Sequence, residues 1–183
     1  MQNKYNQIIT MGIDPGFRNT GWGIISISNN KINYLSHGVI QTNPKKNEAE
    51  RLNEISSEIK KILKKFNPLI VCIESIFVSK NPSSALKLGM ARGVVLQAIA
   101  AQEIATKELS PRLVKKSITG SGKADKVQVK YIIQKILLKN IPSDDASDAL
   151  AIAIAGSYQV SFLENKIKNK LDLAIQKAID KQE

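Results

Sequence analysis

The first apolar segment of the chain runs from Ile8 to Asp14 and stops at Pro15-Gly16. Gly21 to Ser28 and Lys31 to Ile40 follow as short alternating runs joined through Asn29-Asn30, so this stretch predicts three strands linked by tight turns. The period then changes. Between Asn47 and Phe66 the apolar positions Leu52, Ile55, Ile59, Ile62, Leu63 and Phe66 recur at helical spacing, with Glu and Lys on the other positions, which predicts an amphipathic helix. Asn67-Pro68 stops that helix, because the residue before a proline disfavours helical backbone. The continuous apolar run from Leu69 to Ile73 reads as a strand buried on both faces, and it ends at Glu74.

The pattern is helical again from Ser83 to about Ala105, and rich in small residues such as Ala85, Gly89, Gly93 and Ala98. Such a face lets another helix come close, which suits either self-association or packing against the sheet; spacing alone does not separate the two. Thr106 to Leu109 predicts a fifth strand, Pro111 the start of a brief helix, and Gly120-Ser121-Gly122 a flexible loop. Two further helices are predicted from about Ala124 to Leu138 and from about Asp144 to Tyr158, separated by Asn140-Ile141-Pro142. Beyond Gly156 the chain becomes Lys-rich while Ile167, Leu171, Ala174 and Ala178 keep helical spacing, so residues 159–183 form either a terminal helix or a basic tail outside a domain spanning 1–158. Strands first, then helices alternating with strands, predict an α/β three-layer domain whose five-stranded mixed sheet is flanked by helices.

Composition sharpens this picture. With 183 residues, 43% of them hydrophobic, the chain can bury the core of one substantial domain. Lys and Arg number 27 against 16 Asp and Glu, a formal charge of +11, and so large an excess points to an anionic polymer as partner rather than to biased codon usage alone. The single cysteine, Cys72, lies in the apolar run before Glu74, which excludes an intrachain disulfide framework and fits a reducing, cytoplasmic setting. No apolar stretch reaches membrane-spanning length, and no partnership with a membrane is expected.

The charges that matter for chemistry are the few acids stranded at the ends of apolar segments. Asp14 ends the first strand and Glu74 ends the buried one; if the two strands are neighbours and parallel, both carboxylates fall at one edge of the sheet, where α/β proteins place ligands. Asp145 and Asp148, three apart at the start of a helix, share one face, and Asp144 lies close to that face. Ser143 or Asp144 can cap this helix, and acids favour its positive end. Capping does not account for Asp145 and Asp148, because the apolar run from Ala149 to Ile154 marks the helix as buried, and buried carboxylates require a cation. Converging carboxylates without cysteine, and with His37 alone among histidines and read as structural, suit hard ions such as Mg²⁺ or Mn²⁺. Two such ions, roughly 4 Å apart, can activate water for in-line attack on phosphorus.

These residues also carry a resemblance. Gly12-Ile13-Asp14-Pro15-Gly16 with Thr20-Gly21-Trp22-Gly23, then Ile73-Glu74-Ser75-Ile76-Phe77, then Asn81 to Gly93, Pro111 to Lys115, Gly120 to Lys126, and Asp145-Ala146-Ser147-Asp148-Ala149-Leu150-Ala151 appear in order. In that order they resemble the RuvC family of bacterial Holliday junction resolvases, within the RNase H-like superfamily. Trp22 stands where Tyr is common in the family. The resemblance implies that Asp14, Glu74, Asp145 and Asp148 are the catalytic, metal-binding acids, and its spacing selects Asp145 over Asp144. It further implies that Lys115 and Lys126 lie near the scissile phosphate and that Phe77 stacks into the opened junction.

The expected protein is therefore a Mg²⁺-dependent endodeoxyribonuclease acting in DNA recombination and repair, with two ions per subunit and Mn²⁺ able to substitute. A homodimer packed through the Ser83 to Ala105 helix would cut two opposed strands of a four-way junction, leaving 5′-phosphate and 3′-hydroxyl ends. Lys80, Arg112, Lys115, Lys116, Lys123, Lys126 and Lys130 would contact DNA. The family also implies a branch-migration helicase complex, RuvA and RuvB, as partner. Two rivals are an actin-like phosphotransferase, for which Asp14-Pro15-Gly16 would hold nucleotide phosphates but the chain lacks room for a second domain, and a non-catalytic junction-binding module, which would not need four carboxylates.

Overall fold

The computed structural model of the chain describes residues 7–29, 31–75 and 81–159. Strands β1 (Ile8–Asp14), β2 (Asn19–Ser28) and β3 (Lys31–Gln41) form an antiparallel meander. Helix α1 (Glu48–Phe66) leads into β4 (Ile70–Glu74), and α2 (Pro82–Ala100) into β5 (Ala105–Leu109). Helices α3 (Pro111–Thr119), α4 (Lys126–Leu137) and α5 (residues 144–159) follow. The sheet order is β3-β2-β1-β4-β5, with β4 parallel to both β1 and β5, so the five-stranded mixed sheet expected from the sequence is present.

Strand alternation divides the sheet into two faces. Met11, Ile13, Ile24, Val71 and Ile73 pack against α1 and α2, through Ile55, Ile59 and Leu63 of α1 and Ala91, Val95 and Ile99 of α2. Ile25, Cys72 and Leu109 look the other way, onto α3, α4 and the apolar side of α5. The result is three layers with a core on each side of the sheet.

Element ends follow local chemistry. Asn47 caps α1 in a capping box with Glu50, and Asn67 closes the helix in the left-handed region at φ 44°. Asn81 caps α2, accepting from the backbone N–H groups of Ser83 and Ser84, with Pro82 in the first turn. The sequence pattern carried α2 on to about Ala105; the helix ends at Ala100, and a turn through Glu103, at φ 56°, reverses the chain into β5. Helical periodicity did not see this stop, since alanines favour helix on either side of it. In the same way α4 begins at Lys126 and not at Ala124, because Asp125 takes the capping position with Gln128.

Helix α5 lies directly on β1 and β2. A Cβ at Gly12 would overlap the Ala149 carbonyl oxygen and the Ala153 nitrogen, and one at Gly21 would overlap the Asp145 carbonyl. Backbone rests on backbone there, and Ala146, Ala149 and Ala153 are wholly buried. Replacing Gly12→Ala forces helix and sheet apart along rigid main chain. It should destabilise the protein by at least ~2 kcal/mol, read as a lower urea midpoint at unchanged slope.

Candidate active site

Asp14 and Glu74 are brought together by strand register. β1 and β4 pair in parallel with Ile13 opposite Ile73, so the next residue of each strand is an acid at the same carboxyl edge. Both continue the series whose side chains face α5: Asp14 lies two residues after Gly12, and Glu74 two after Cys72, which packs on that side. Helix α5 then adds Asp145 and Asp148 from its first turns, where Ser143 accepts a hydrogen bond from the Ala146 N–H at 3.4 Å. The helix's positive end favours acids there, yet it does not neutralise them.

The electrostatic consequence is strongest at Asp14. Its carboxyl is pushed up to about 7, first by burial and then by repulsion from Asp148, Glu74 and Asp145, with Lys126 opposing. Burial followed by the Asp148 charge also raises Glu74, while Lys126 and Lys115 lower it. Lys126 donates to Asp148 Oδ2 at 2.9 Å, and this hydrogen bond, with the Asp148 charge, raises the lysine's pKa. Asp14, Glu74, Asp148, Lys115 and Lys126 line one cavity of about 280 Å³, whose remaining wall includes Pro111, Val114, Val129 and Ala151. Larger grooves exist, one of about 610 Å³ between β3 and α1, but that one brings together only Glu54 and Glu58 among charged groups; volume does not single out the site, and converging charge does.

Other residues expected at the site are placed differently. Asp144 turns away and pairs with Lys130 at 2.6 Å, and Lys130 also donates to the Pro142 carbonyl oxygen. This accounts for Asp144 as a structural acid and engages a lysine read from sequence as a phosphate contact. Arg112, in the first turn of α3, lies across Gly122, while Lys116 and Lys123 are exposed outside the cavity. Phe77 and Lys80 lie outside the described residues, as does nearly all of the basic tail.

Two arginines that sequence reasoning passed over hold the edges of the site. Arg51 stacks on Phe17 with its guanidinium 4.2 Å from the ring centroid and donates to the Phe17 carbonyl and to Thr42 Oγ1, fastening the loop after Asp14. Arg92, buried in α2, donates to the Glu74 carbonyl oxygen at 2.8 Å. The available signal was a charged residue inside an apolar run, Ala91-Arg92-Gly93-Val94-Val95.

The donor set is all oxygen, four carboxylates against the two ammoniums of Lys115 and Lys126, and this fits a hard divalent cation. Among the described residues no three acids already form a closed metal cage, one Asp148 oxygen being engaged by Lys126. The fit is one of charge and donor type.

Strand order, helices on both faces and acids contributed by β1, β4 and α5 together define an RNase H-like domain built around a carboxylate centre. A family model described as crossover junction endodeoxyribonuclease RuvC matches residues 10–156. The RuvC protein of Wolbachia sp. subsp. Drosophila simulans is 43% identical over 150 residues, covering 81% of this chain and 93% of that one. That of Hydrogenovibrio crunogenus is 46% identical over 145 residues, 79% of this chain and 84% of its own length. Among solved structures, T. thermophilus RuvC in complex with Holliday junction substrate matches with a TM-score of 0.79 at 29% identity, covering 84% of this chain and 94% of that one. The chain belongs to the RuvC family of crossover junction endodeoxyribonucleases.

Raising the Asp14 pKa favours its protonated form in the folded chain. The stability this group contributes is therefore present below its unfolded value of 3.8 and is lost as pH rises through about 7. In chelator, Asp14→Asn should raise the melting temperature by several degrees near pH 8, a gain on the order of 3 kcal/mol, and the gain should shrink as pH falls towards 4. Thermal melts at stepped pH check this.

Proposed function

We propose that the chain resolves Holliday junctions by hydrolysing one phosphodiester in each of two opposed strands. The observation that carries this reading is the meeting of Asp14, Glu74 and Asp148 with Lys115 and Lys126 in one cavity, within a chain of the RuvC family. Asp14, Glu74, Asp145 and Asp148 would hold divalent cations, Mg²⁺ or Mn²⁺, two per subunit. Bound there, the cations would supply charge neutralisation and lower the pKa of a water so that it ionises near neutral pH. Lys115 and Lys126 hold the phosphate, and Lys126 exchanges its partner Asp148 for a phosphate oxygen as DNA enters. Water loses a proton as its oxygen joins phosphorus, the bond to O3′ breaks, and O3′ takes up a proton in its turn, leaving a 5′-phosphate and a 3′-hydroxyl.

Two cuts in one junction need two sites, hence a homodimer. The outer face of α2 supports that arrangement: Leu86 is 66% exposed, and a Cβ at Gly89 or Gly93 would meet nothing, so a second helix can approach closely. Phe77, Lys80, Arg112, Lys116 and Lys123 complete the DNA surface in this reading, with Phe77 stacking at the opened branch point. Family membership implies the RuvA and RuvB helicase complex as partner, and a lone, buried cysteine, Cys72, suits a cytoplasmic setting. No described helix is long and apolar enough to cross a membrane.

The test is a labelled four-way junction and a linear duplex, each incubated with Mg²⁺ or EDTA. Symmetric nicks in the junction alone, abolished by EDTA, are expected. Asp14→Asn and Asp148→Asn should each slow cleavage on the order of 1000-fold while junction binding persists, the several kcal/mol that metal-held charge stabilisation supplies. Lys115→Ala should lower the salt slope of binding by about one. Tight binding without nicking would instead indicate a junction-binding module, and nucleotide-dependent thermal stabilisation without DNA a phosphotransferase.

A further inference from the structure

Glu74 ends β4 at a place where the sheet no longer supports it on both sides. The β1–β4 register stops at Ile13 and Ile73, and β1 itself ends one residue later. On the other side the ladder continues, since the Ser75 N–H donates to the Leu109 carbonyl oxygen at 2.8 Å. The carbonyl of Glu74 and the N–H of Ser75 belong to one planar peptide unit. That unit is thus held by β5 through its N–H and, through its carbonyl, by the Arg92 Nη1 at 2.8 Å. Arg92 supplies the Glu74 carbonyl with a donor where β1, ending at Asp14, supplies none.

Arg92 is unusual for a helix in a hydrophobic layer. It is only 7% exposed, between Ala91 and Val95 of the core. Burying a guanidinium is costly unless its hydrogens find acceptors. Two acceptors are provided, the Glu74 carbonyl and the carboxylate of Glu108 on β5, which pairs with Nη2. A planar fork serves both at once, whereas a lysine ammonium on a single flexible stem is poorly matched to them.

We propose that Arg92 is a positioning residue for Glu74: it fixes the Glu74–Ser75 peptide plane and so the direction in which the Glu74 carboxylate leaves the strand. The assignment rests on the reading of Glu74 as a catalytic acid. It deepens that reading by joining α2, whose outer face would carry a second chain, to the catalytic edge through one side chain.

The test uses the full chain with Arg92→Met, Arg92→Lys and Glu108→Gln. Hydrogen exchange of the Ser75 amide, measured without DNA or metal, reads the peptide directly. Arg92→Met should accelerate it at least tenfold, with β1 and β2 amides unchanged. In single-turnover cleavage of a four-way junction, the same variant should be slowed about 100-fold with junction affinity within twofold of the unaltered chain, and Arg92→Lys should fall between the two. Unchanged exchange at Ser75 in folded Arg92→Met overturns the proposal, as does a rate loss matched by an equal loss of junction affinity. Should Arg92→Met not fold, Glu108→Gln decides: releasing one arm of the guanidinium should speed Ser75 exchange at least threefold, and unchanged exchange overturns the assignment. If the unaltered chain cuts no junction, the functional reading falls, while Ser75 exchange still decides the role of Arg92.

Discussion

Where α5 crosses β1 and β2, the positions beneath it are Gly12 and Gly21, and any side chain there would lift the helix off the sheet. Main chain against main chain is a rigid contact, with no rotamer to yield. It sets the height of α5 over the sheet and hence the distance of Asp145 and Asp148 from Asp14. The small residues Ala146, Ala149 and Ala153 on the buried side of α5 serve the same contact. Two acids arrive by strand register and two by helix seating, and only the second pair depends on this close packing. The fold would tolerate a helix held further away; a four-carboxylate centre would not.

Such a centre works against stability. Bringing acids together beside an apolar wall of Val114, Val129 and Ala151 holds the Asp14 and Glu74 carboxyls above their usual range, Asp14 most. The chain offsets part of this with Lys126, which pairs with Asp148 across the gap between α4 and α5. Lys115 faces the same cavity, and two ammoniums are still fewer than four carboxylates require. The remaining imbalance is what a divalent cation would relieve.

Much of this was legible in the sequence because it rests on short-range periodicity. An apolar run ending in an acid exposes the end of a strand, and two carboxylates three apart before a buried helix reveal a shared face. The pairing of β1 with β4 was a conditional reading, since nothing local in either strand names its neighbour; the structure meets the condition. The end of α2 was misread because alanine-rich sequence favours helix up to and beyond Ala100, and only the turn at Glu103 breaks it. The family spacing already set Asp145 apart from Asp144, but the pairing of Asp144 with Lys130 has no signature in the sequence. Arg92 and Arg51 escaped notice because each acts on a main-chain carbonyl, and a carbonyl has no signature in the sequence.

The sorting of lysines completes the electrostatic design. Lys130 is held to Asp144 and the Pro142 carbonyl, outside the cavity, where it braces the turn that launches α5. Lys115 and Lys126 face the acids from α3 and α4. The rest of the +11 excess cannot neutralise the site, because charges at the solvated surface are screened over about 8 Å at physiological ionic strength. That excess can still act on a polyanion, whose many phosphates meet many lysines at once. A protein can therefore be basic enough to draw in DNA and yet keep an acidic centre short of cations. The two properties coexist because one is a long-range sum over the surface and the other a short-range product of burial.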